Sequence, residues 1–100
     1  MIKPEQCQTL AEVRSGIDAL DDEIVKLLVS RFRFIDAAAR IKPRREEVRD
    51  ETRKAEVIER ARVAALKGGI PDGLIAEMYE MLVEGSIAHE FARFDAQRPG

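Results

Sequence analysis

Four cationic side chains, one hydroxyl and one carboxyl recur at helical spacings along this chain and could line a single pocket. Lys42 follows Arg31 by eleven positions, about three helical turns, so both side chains point to one side of a helix. Arg31 falls on a hydrophobic seam, and a guanidinium that cannot lose its proton needs a matched anion there. No acid lies a turn away on that seam within the same helix. Either a distant carboxylate or a bound anionic ligand therefore neutralises Arg31.

Arg14 cannot reach that ligand from the same straight helix. It precedes Arg31 by seventeen residues, which is about 25 Å along the axis and about 100° round it. If a partner helix runs antiparallel, however, the Arg14 of that partner is carried toward Arg31. The spacing predicts a composite site between two subunits.

Later segments add further polar groups to the same predicted pocket. Arg53 stands one turn ahead of Val57, near the apolar side of a second helix, and Ser86 and Glu90 lie four residues apart on a third. Such a pocket would prefer a compact dianion.

The first helix is the element that must position these cations. Thr9 and Glu12 have the spacing of a capping box, and the helical pattern then runs to Pro43. A helix of this length, about 50 Å at 1.5 Å per residue, is too long for one short chain to cover. Its apolar seam predicts an entwined homodimer in which the first helices pack together, through Leu10, Val13, Ile17, Leu20, Ile24, Leu27, Phe34 and Ala38.

Two shorter helices complete the prediction of an all-α, three-helix protomer. Residues 43–49 form a charged connector with no core pattern, after which Asp50 caps a second helix that ends at Gly68 and Gly69. Pro71 and Asp72 start the third helix, and residues 95–100 are expected to fray. No strand or internal repeat is expected.

Composition limits the classes of function. The 100 residues predict one domain over 1–100 with its core at about 7–94, and a net charge of −2 gives no general attraction to nucleic acid or anionic membrane. One cysteine, Cys7, excludes an internal disulfide. Without an apolar leader or a membrane-length apolar run, the chain is expected to be cytoplasmic.

These residues resemble a known family, the all-helical chorismate mutases. The resemblance rests on Leu10-x-x-x-Arg14-x-x-Ile17-Asp18-x-x-Asp21, then Arg31, Lys42, Asp50-x-x-Arg53 and Ser86-x-x-x-Glu90. The opening Pro4-Glu5-x-Cys7 and the run Ala37-Ala38-Ala39-Arg40-Ile41-Lys42 look closer to the isochorismate-pyruvate lyase branch.

The resemblance implies a homodimer with two shared sites that rearrange chorismate to prephenate without a cofactor or metal. Arg14 from the partner would hold one substrate carboxylate and Arg31 the other, with Arg53 helping to fix the enolpyruvyl group. Lys42 and the side chain at position 90 would donate hydrogen bonds to the ether oxygen.

Asp50 and Ser86 match family positions that contact the ring hydroxyl.

Two other positions depart from the common pattern. Position 90 is often glutamine, and Glu90 donates a hydrogen bond only when protonated. We therefore expect Glu90 to act as a neutral acid favoured by burial, with activity falling as pH rises. Lys54 replaces a frequent glutamate, which weakens the expected grip on a substrate hydroxyl.

Two alternatives stay open. The same cations can serve isochorismate-pyruvate lyase, which forms salicylate and pyruvate from a similar dicarboxylate. The basic cluster of Arg40, Lys42, Arg44 and Arg45 also allows a non-catalytic helical dimer that binds nucleic acid or protein, although the acids that follow it would repel phosphates. We predict the mutase ahead of both, with no nucleic acid or membrane as partner.

Overall fold

The computed structural model describes residues 2–98, and this range is helical with no strand. This range contains three α-helices and two short 3₁₀ turns. The α-helices are α1 (Leu10–Ile41), α2 (Glu51–Lys67) and α3 (Leu74–Gln97), and the 3₁₀ turns are Pro4–Gln6 and Arg45–Glu47. The predicted all-α class with one long N-terminal helix is confirmed.

The start of α1 is capped by the predicted pair, with one difference. The Thr9 hydroxyl accepts a hydrogen bond from the Glu12 backbone N–H at 3.1 Å. The Glu12 carboxylate, however, accepts from the backbone N–H of Gln8 at 3.3 Å rather than from that of Thr9. The pair thus satisfies two backbone amides at the helix start, but the reciprocal half of the capping box falls on Gln8, one residue before the position predicted.

The boundary of α2 follows local chemistry. The Asp50 carboxylate accepts from the Arg53 backbone N–H at 3.0 Å, which makes Asp50 the predicted N-cap. At the other end, α2 gives way to Gly68 and then Gly69, whose φ of 89° is a conformation that favours glycine. Both predicted ends of α2 are confirmed.

The predicted start of α3 at Pro71 and Asp72 is wrong by a few residues. The helix begins at Leu74, because Gly73 has a φ of 91° and therefore stands outside helical conformation. Pro71 and Asp72 belong to the turn that precedes it.

The predicted fraying from residue 95 is also wrong as far as the structure describes that segment. The helix continues through Gln97, and the Asp95 carboxylate accepts from Arg45 Nε at 2.9 Å. Arg98, the last residue described, binds backbone carbonyls near the end of α1. Pro99 and Gly100 lie outside the described residues. Contacts between segments distant in sequence hold this end of the helix.

The chain divides into two compact units, one up to Phe34 and one from Ile35 onward. The second unit holds the buried core, which α3 supplies in large part and against which Val57, Ile58 and Phe91 pack. Its buried apolar members are Ala39, Val48, Val83, Ile87 and Phe94. Val48 corrects the prediction that residues 43–49 contribute nothing to the core, since its side chain is buried between two charged neighbours.

The first unit carries the apolar seam of α1 on an exposed face. Within this chain the exposed large side chains include Leu10, Val13, Ile17, Leu20, Ile24, Leu27 and Phe34, the last of them 77% exposed. A stripe of this extent exceeds the scattered apolar residues of an ordinary surface. None of the helices between residues 2 and 98 is both long and apolar enough to cross a membrane.

Candidate functional site

Lys42 directly follows the last residue of α1, and its backbone is held in helical register. Its N–H donates to the carbonyl of Ala38 at 2.9 Å. Its ammonium then reaches inward: Nζ donates to the backbone carbonyl of Val48 at 3.4 Å and lies 2.7 Å from Oε2 of Glu90. The Lys42 side chain is only 28% exposed. A cation is therefore fixed at the edge of the core by two partners from different segments.

Glu90 lies on the buried face of α3, and its side chain is 6% exposed. Along that face stand the apolar residues Val83, Ile87 and Phe94. The Glu90 Oε2 atom is at ion-pair distance from Lys42, yet it receives no hydrogen bond of good geometry from any residue in the described part of the chain. A buried carboxyl oxygen in this condition is costly for stability and suits a site that must receive or give a hydrogen bond.

Ser86 is one helical turn before Glu90 on the same face and is also buried. Its hydroxyl donates to the carbonyl of Leu82 at 2.7 Å, a common arrangement for serine within a helix. With its proton committed in this way, the Ser86 oxygen is oriented as an acceptor. Ser86 and Glu90 are the buried polar residues of the described core.

Asp50 and Arg53 serve the start of α2 in this structure. The Asp50 carboxylate caps the helix, and the Arg53 guanidinium is 65% exposed and lies 3.5 Å from the carboxylate of Glu56. In the described part of the chain, neither side chain makes a hydrogen bond or ion pair with Lys42 or Glu90. The structure therefore brings together Lys42 and Glu90 without placing Asp50 and Arg53 in contact with them.

Arg14 and Arg31 belong to the first unit. Arg14 is exposed, whereas Arg31 is half-buried and has an interaction of its own. The seam on which Arg31 was predicted to be buried is exposed within a single chain, as the exposures of Ile17 and Ile24 show.

A second charged cluster joins α1 to α3 close to the site. His89 Nε2 lies 2.6 Å from Oδ1 of Asp36, and Arg93 Nε lies 3.3 Å from the same oxygen. The contact between His89 and Asp36 links α1 to α3 at the residue that precedes Glu90.

Lys54 is engaged by two acids of α3. Its ammonium donates to Glu80 at 2.7 Å and to Glu84 at 2.9 Å. Glu84 also accepts a hydrogen bond from Arg49 at 2.8 Å. The bond from Arg49, and to a smaller extent the bond from Lys54, lower the pKa of Glu84 to about 2. Lys54 therefore joins α2 to α3. The sequence identified Lys54 only as a replacement for a frequent glutamate and did not predict this contact.

Sequence reasoning missed Val48 as a member of this site. Its carbonyl accepts from Lys42 and its side chain is 3% exposed in the core. The available signal was a lone apolar residue inside a charged connector, which local patterning does not distinguish from an exposed valine.

Comparison with known proteins places the chain in a family. A family model described as chorismate mutase type II matches residues 13–91, a range that includes every residue of the predicted site. A curated protein named isochorismate pyruvate lyase, from Pseudomonas aeruginosa, is 31% identical over 91 residues, which cover 90% of this chain and 89% of that protein.

Proposed function

Since the chain belongs to the chorismate mutase type II family, we propose that it catalyses the Claisen rearrangement of chorismate to prephenate. One observation carries the proposal: the ammonium of Lys42 lies 2.7 Å from the buried carboxyl of Glu90 in the core of the second unit. Ion pairs in this setting add little net stability compared with apolar residues. A catalytic role therefore explains the Lys42–Glu90 ion pair better than a contribution to stability does.

The rearrangement suits a site that offers hydrogen-bond donors and fixed charge. The ether C–O bond breaks while a C–C bond forms within the same molecule, and no external nucleophile, oxidant or proton enters. Negative charge grows on the ether oxygen during this step. The Lys42 ammonium, already oriented by Val48 and Glu90, would donate to that oxygen in a pocket with little water.

Glu90 would share this task as a neutral acid. An ionised Glu90 would repel a dianionic substrate and would hold Lys42 in the pairing seen here, whereas a protonated Glu90 can donate a hydrogen bond. Bound substrate adds negative charge to the site and so favours the protonated form. We propose that Glu90 takes up one proton from solvent when substrate binds, so that two donors to one oxygen replace the Lys42–Glu90 ion pair.

The remaining site residues are proposed to bind the substrate. Arg31 would hold one carboxylate and Arg14 of the partner subunit the other, because guanidinium groups match carboxylates in geometry and charge. Arg53 is exposed, and its ion pair in the described part of the chain is with Glu56 of its own helix, so it can turn toward the enolpyruvyl group. Asp50 and Ser86 would contact the ring hydroxyl in addition to the hydrogen bonds that both make to the backbone.

An entwined homodimer is part of this proposal. The exposed seam of α1 in the first unit gives the apolar surface that a second copy would cover. Covering it would add the burial that a helical chain of this length lacks on its own. Each site would then contain Arg14 from one subunit and the other residues from its partner.

The name of the relative from Pseudomonas aeruginosa favours a second candidate, the isochorismate-pyruvate lyase reaction. In that reaction the ether C–O bond breaks while a ring hydrogen passes to the enolpyruvyl carbon, which leaves salicylate and pyruvate. The substrate carries two carboxylates and the same ether, so Lys42 and Glu90 would have equivalent roles.

Separate assays with chorismate and isochorismate distinguish the two reactions. Mutase activity gives prephenate from chorismate, and Lys42→Met should reduce it by about 10²-fold or more, by analogy with the loss of an oxyanion donor. Lys26→Met is a matched control, because Lys26 is 74% exposed and its ion pair among residues 2–98 is with Glu23, one turn away. Salicylate from isochorismate without prephenate from chorismate would establish the lyase instead. Absence of both products would refute the proposed function.

A further inference from the structure

The C-terminal turn of α3 is joined to the end of α1 through one side chain, Arg98. Its Nη1 donates to the carbonyl of Ala39 at 3.0 Å. Its Nη2 donates to the carbonyls of Arg40 at 3.2 Å and Lys42 at 2.8 Å. One guanidinium thus binds three carbonyls in the segment that ends α1 and carries the site lysine.

Pro43 explains why those carbonyls need an outside donor. In a continuing helix the N–H of residue 43 would donate to the carbonyl of Ala39, but proline has no N–H. Ala39 is fully buried, so its carbonyl is poorly placed to find a donor in solvent. An orphan carbonyl in such a position is destabilising, and the hydrogen bond from Arg98 satisfies it.

The guanidinium is itself well placed for this role. It lies 3.8 Å from the ring centroid of Phe94, a buried residue one turn earlier in α3, and a cation over an aromatic face is held by the ring quadrupole. A positive charge at the C-terminal end of α1 also complements the helix dipole. Beside it, Arg45 binds Asp95 and stacks 4.5 Å from the Phe91 ring, which fixes the connector against the same turn.

We propose that Arg98 is a positioning residue for Lys42. The backbone of Lys42 is bound on both sides, by Ala38 through its N–H and by Arg98 through its carbonyl. These two hydrogen bonds fix the backbone position from which the Lys42 side chain extends, and so help to place its ammonium beside Val48 and Glu90. Arg98 contacts no reacting atom in this account, and its effect on turnover rests on the proposed function of Lys42.

A double-mutant cycle with Lys42 tests the proposal. Arg98→Ala should lower kcat by about 10- to 100-fold with a smaller change in KM, because a displaced donor costs more in the transition state than in substrate binding. In a Lys42→Met background the same substitution should change kcat by less than about 3-fold, because the donor that Arg98 positions is already gone. An equal fold loss in both backgrounds, or no loss in the wild type, would overturn the proposal.

Two controls separate positioning from general damage and from an error in the proposed function. Arg44→Ala removes an arginine of the connector at residues 43–49. The Arg44 side chain is 73% exposed and, as far as the structure describes the chain, pairs with Glu47, so kcat should be unchanged. Hydrogen exchange at the Lys42 amide gives a readout independent of substrate: it should be faster in Arg98→Ala and unchanged in Arg44→Ala. If the wild type acts on neither substrate, the proposed function fails, and this exchange result alone supports or overturns the positioning of Lys42.

Discussion

Replacing Lys42 by methionine separates what the buried ion pair does for stability from what it does for activity. The substitution keeps the length of the apolar stem but leaves the carboxyl of Glu90, 6% exposed, without its cation. At 2.7 Å and an effective dielectric constant of 20, the attraction is about 6 kcal/mol before desolvation. Solvent reaches the Lys42 side chain, which is 28% exposed, so the net loss should fall at the lower end of the range for broken buried pairs, about 3 kcal/mol.

Thermal and denaturant unfolding measure this loss directly. For a domain of this size, about 3 kcal/mol corresponds to a fall in Tm of about 12 to 24 °C at fixed protein concentration. The double variant Lys42→Met/Glu90→Leu should recover most of that stability, because an apolar pair avoids an unpaired buried charge. Both variants should show at least the loss of about 10²-fold in turnover given above for Lys42→Met. The control Lys26→Met should change the free energy of unfolding by less than about 0.5 kcal/mol.

Two results would refute the reasoning. If Lys42→Met unfolds like the wild type, the buried carboxyl does not depend on its cation. If the double variant is no more stable than Lys42→Met, the cost of that substitution comes from lost packing rather than from the uncompensated charge. Recovery of stability without recovery of turnover would show that the pair is retained for catalysis.

Three further predictions concern acid stability, pH–rate behaviour and subunit sharing. Glu84 has a native pKa of about 2 against an ordinary value of 4.5, so its contribution to stability is complete above about pH 4.5 and is lost as pH falls toward 2. Glu84→Gln should therefore weaken the dependence of the free energy of unfolding on pH between about 2 and 4.5. The same pH dependence in the wild type and in Glu84→Gln would contradict this. Turnover by the wild type should decline with rising pH while that of Glu90→Gln stays level, and identical profiles would exclude a neutral Glu90 as donor. Mixing inactive Arg14→Ala and Arg31→Ala chains should restore some turnover through heterodimers with one intact site; no recovery after proven subunit exchange would exclude shared sites.

The ends of the helices were predictable from sequence where a local interaction decides them. Thr9 and Asp50 cap their helices through side chains three residues from their targets, and Gly69 supplies a backbone conformation that few other residues adopt. The start of α3 was less accessible, because Gly73 rather than the turn residues Pro71 and Asp72 sets it.

Features that depend on contacts between distant segments were not predictable from periodicity. The end of α3 was expected to fray, yet Asp95 meets Arg45, fifty residues earlier, and Arg98 reaches the end of α1. Val48 is buried because the connector turns into the core, a fact that its charged neighbours conceal.

Part of the candidate site could be predicted from the sequence, because its residue types are unusual for their positions. Lys42 and Glu90 are polar residues at helical positions where an ordinary core has none, and the structure places their charges together. Arg14 and Arg31 could be named from the same pattern, but their roles depend on a second copy of the chain. The pairing of Lys54 with Glu80 and Glu84 was not expected, because a lysine in place of a common glutamate says nothing about which acids it meets.

Binding of a bicyclic ether dicarboxylate that mimics the Claisen transition state tests most directly whether Lys42 stabilises the reacting ether oxygen. Calorimetric titration of the wild type should give a Kd below that for chorismate, because the site is complementary to the transition state. Lys42→Met should lose about 10²-fold or more in affinity for the mimic, the same factor expected in turnover. Equal affinity of the wild type and Lys42→Met for the mimic would contradict the account.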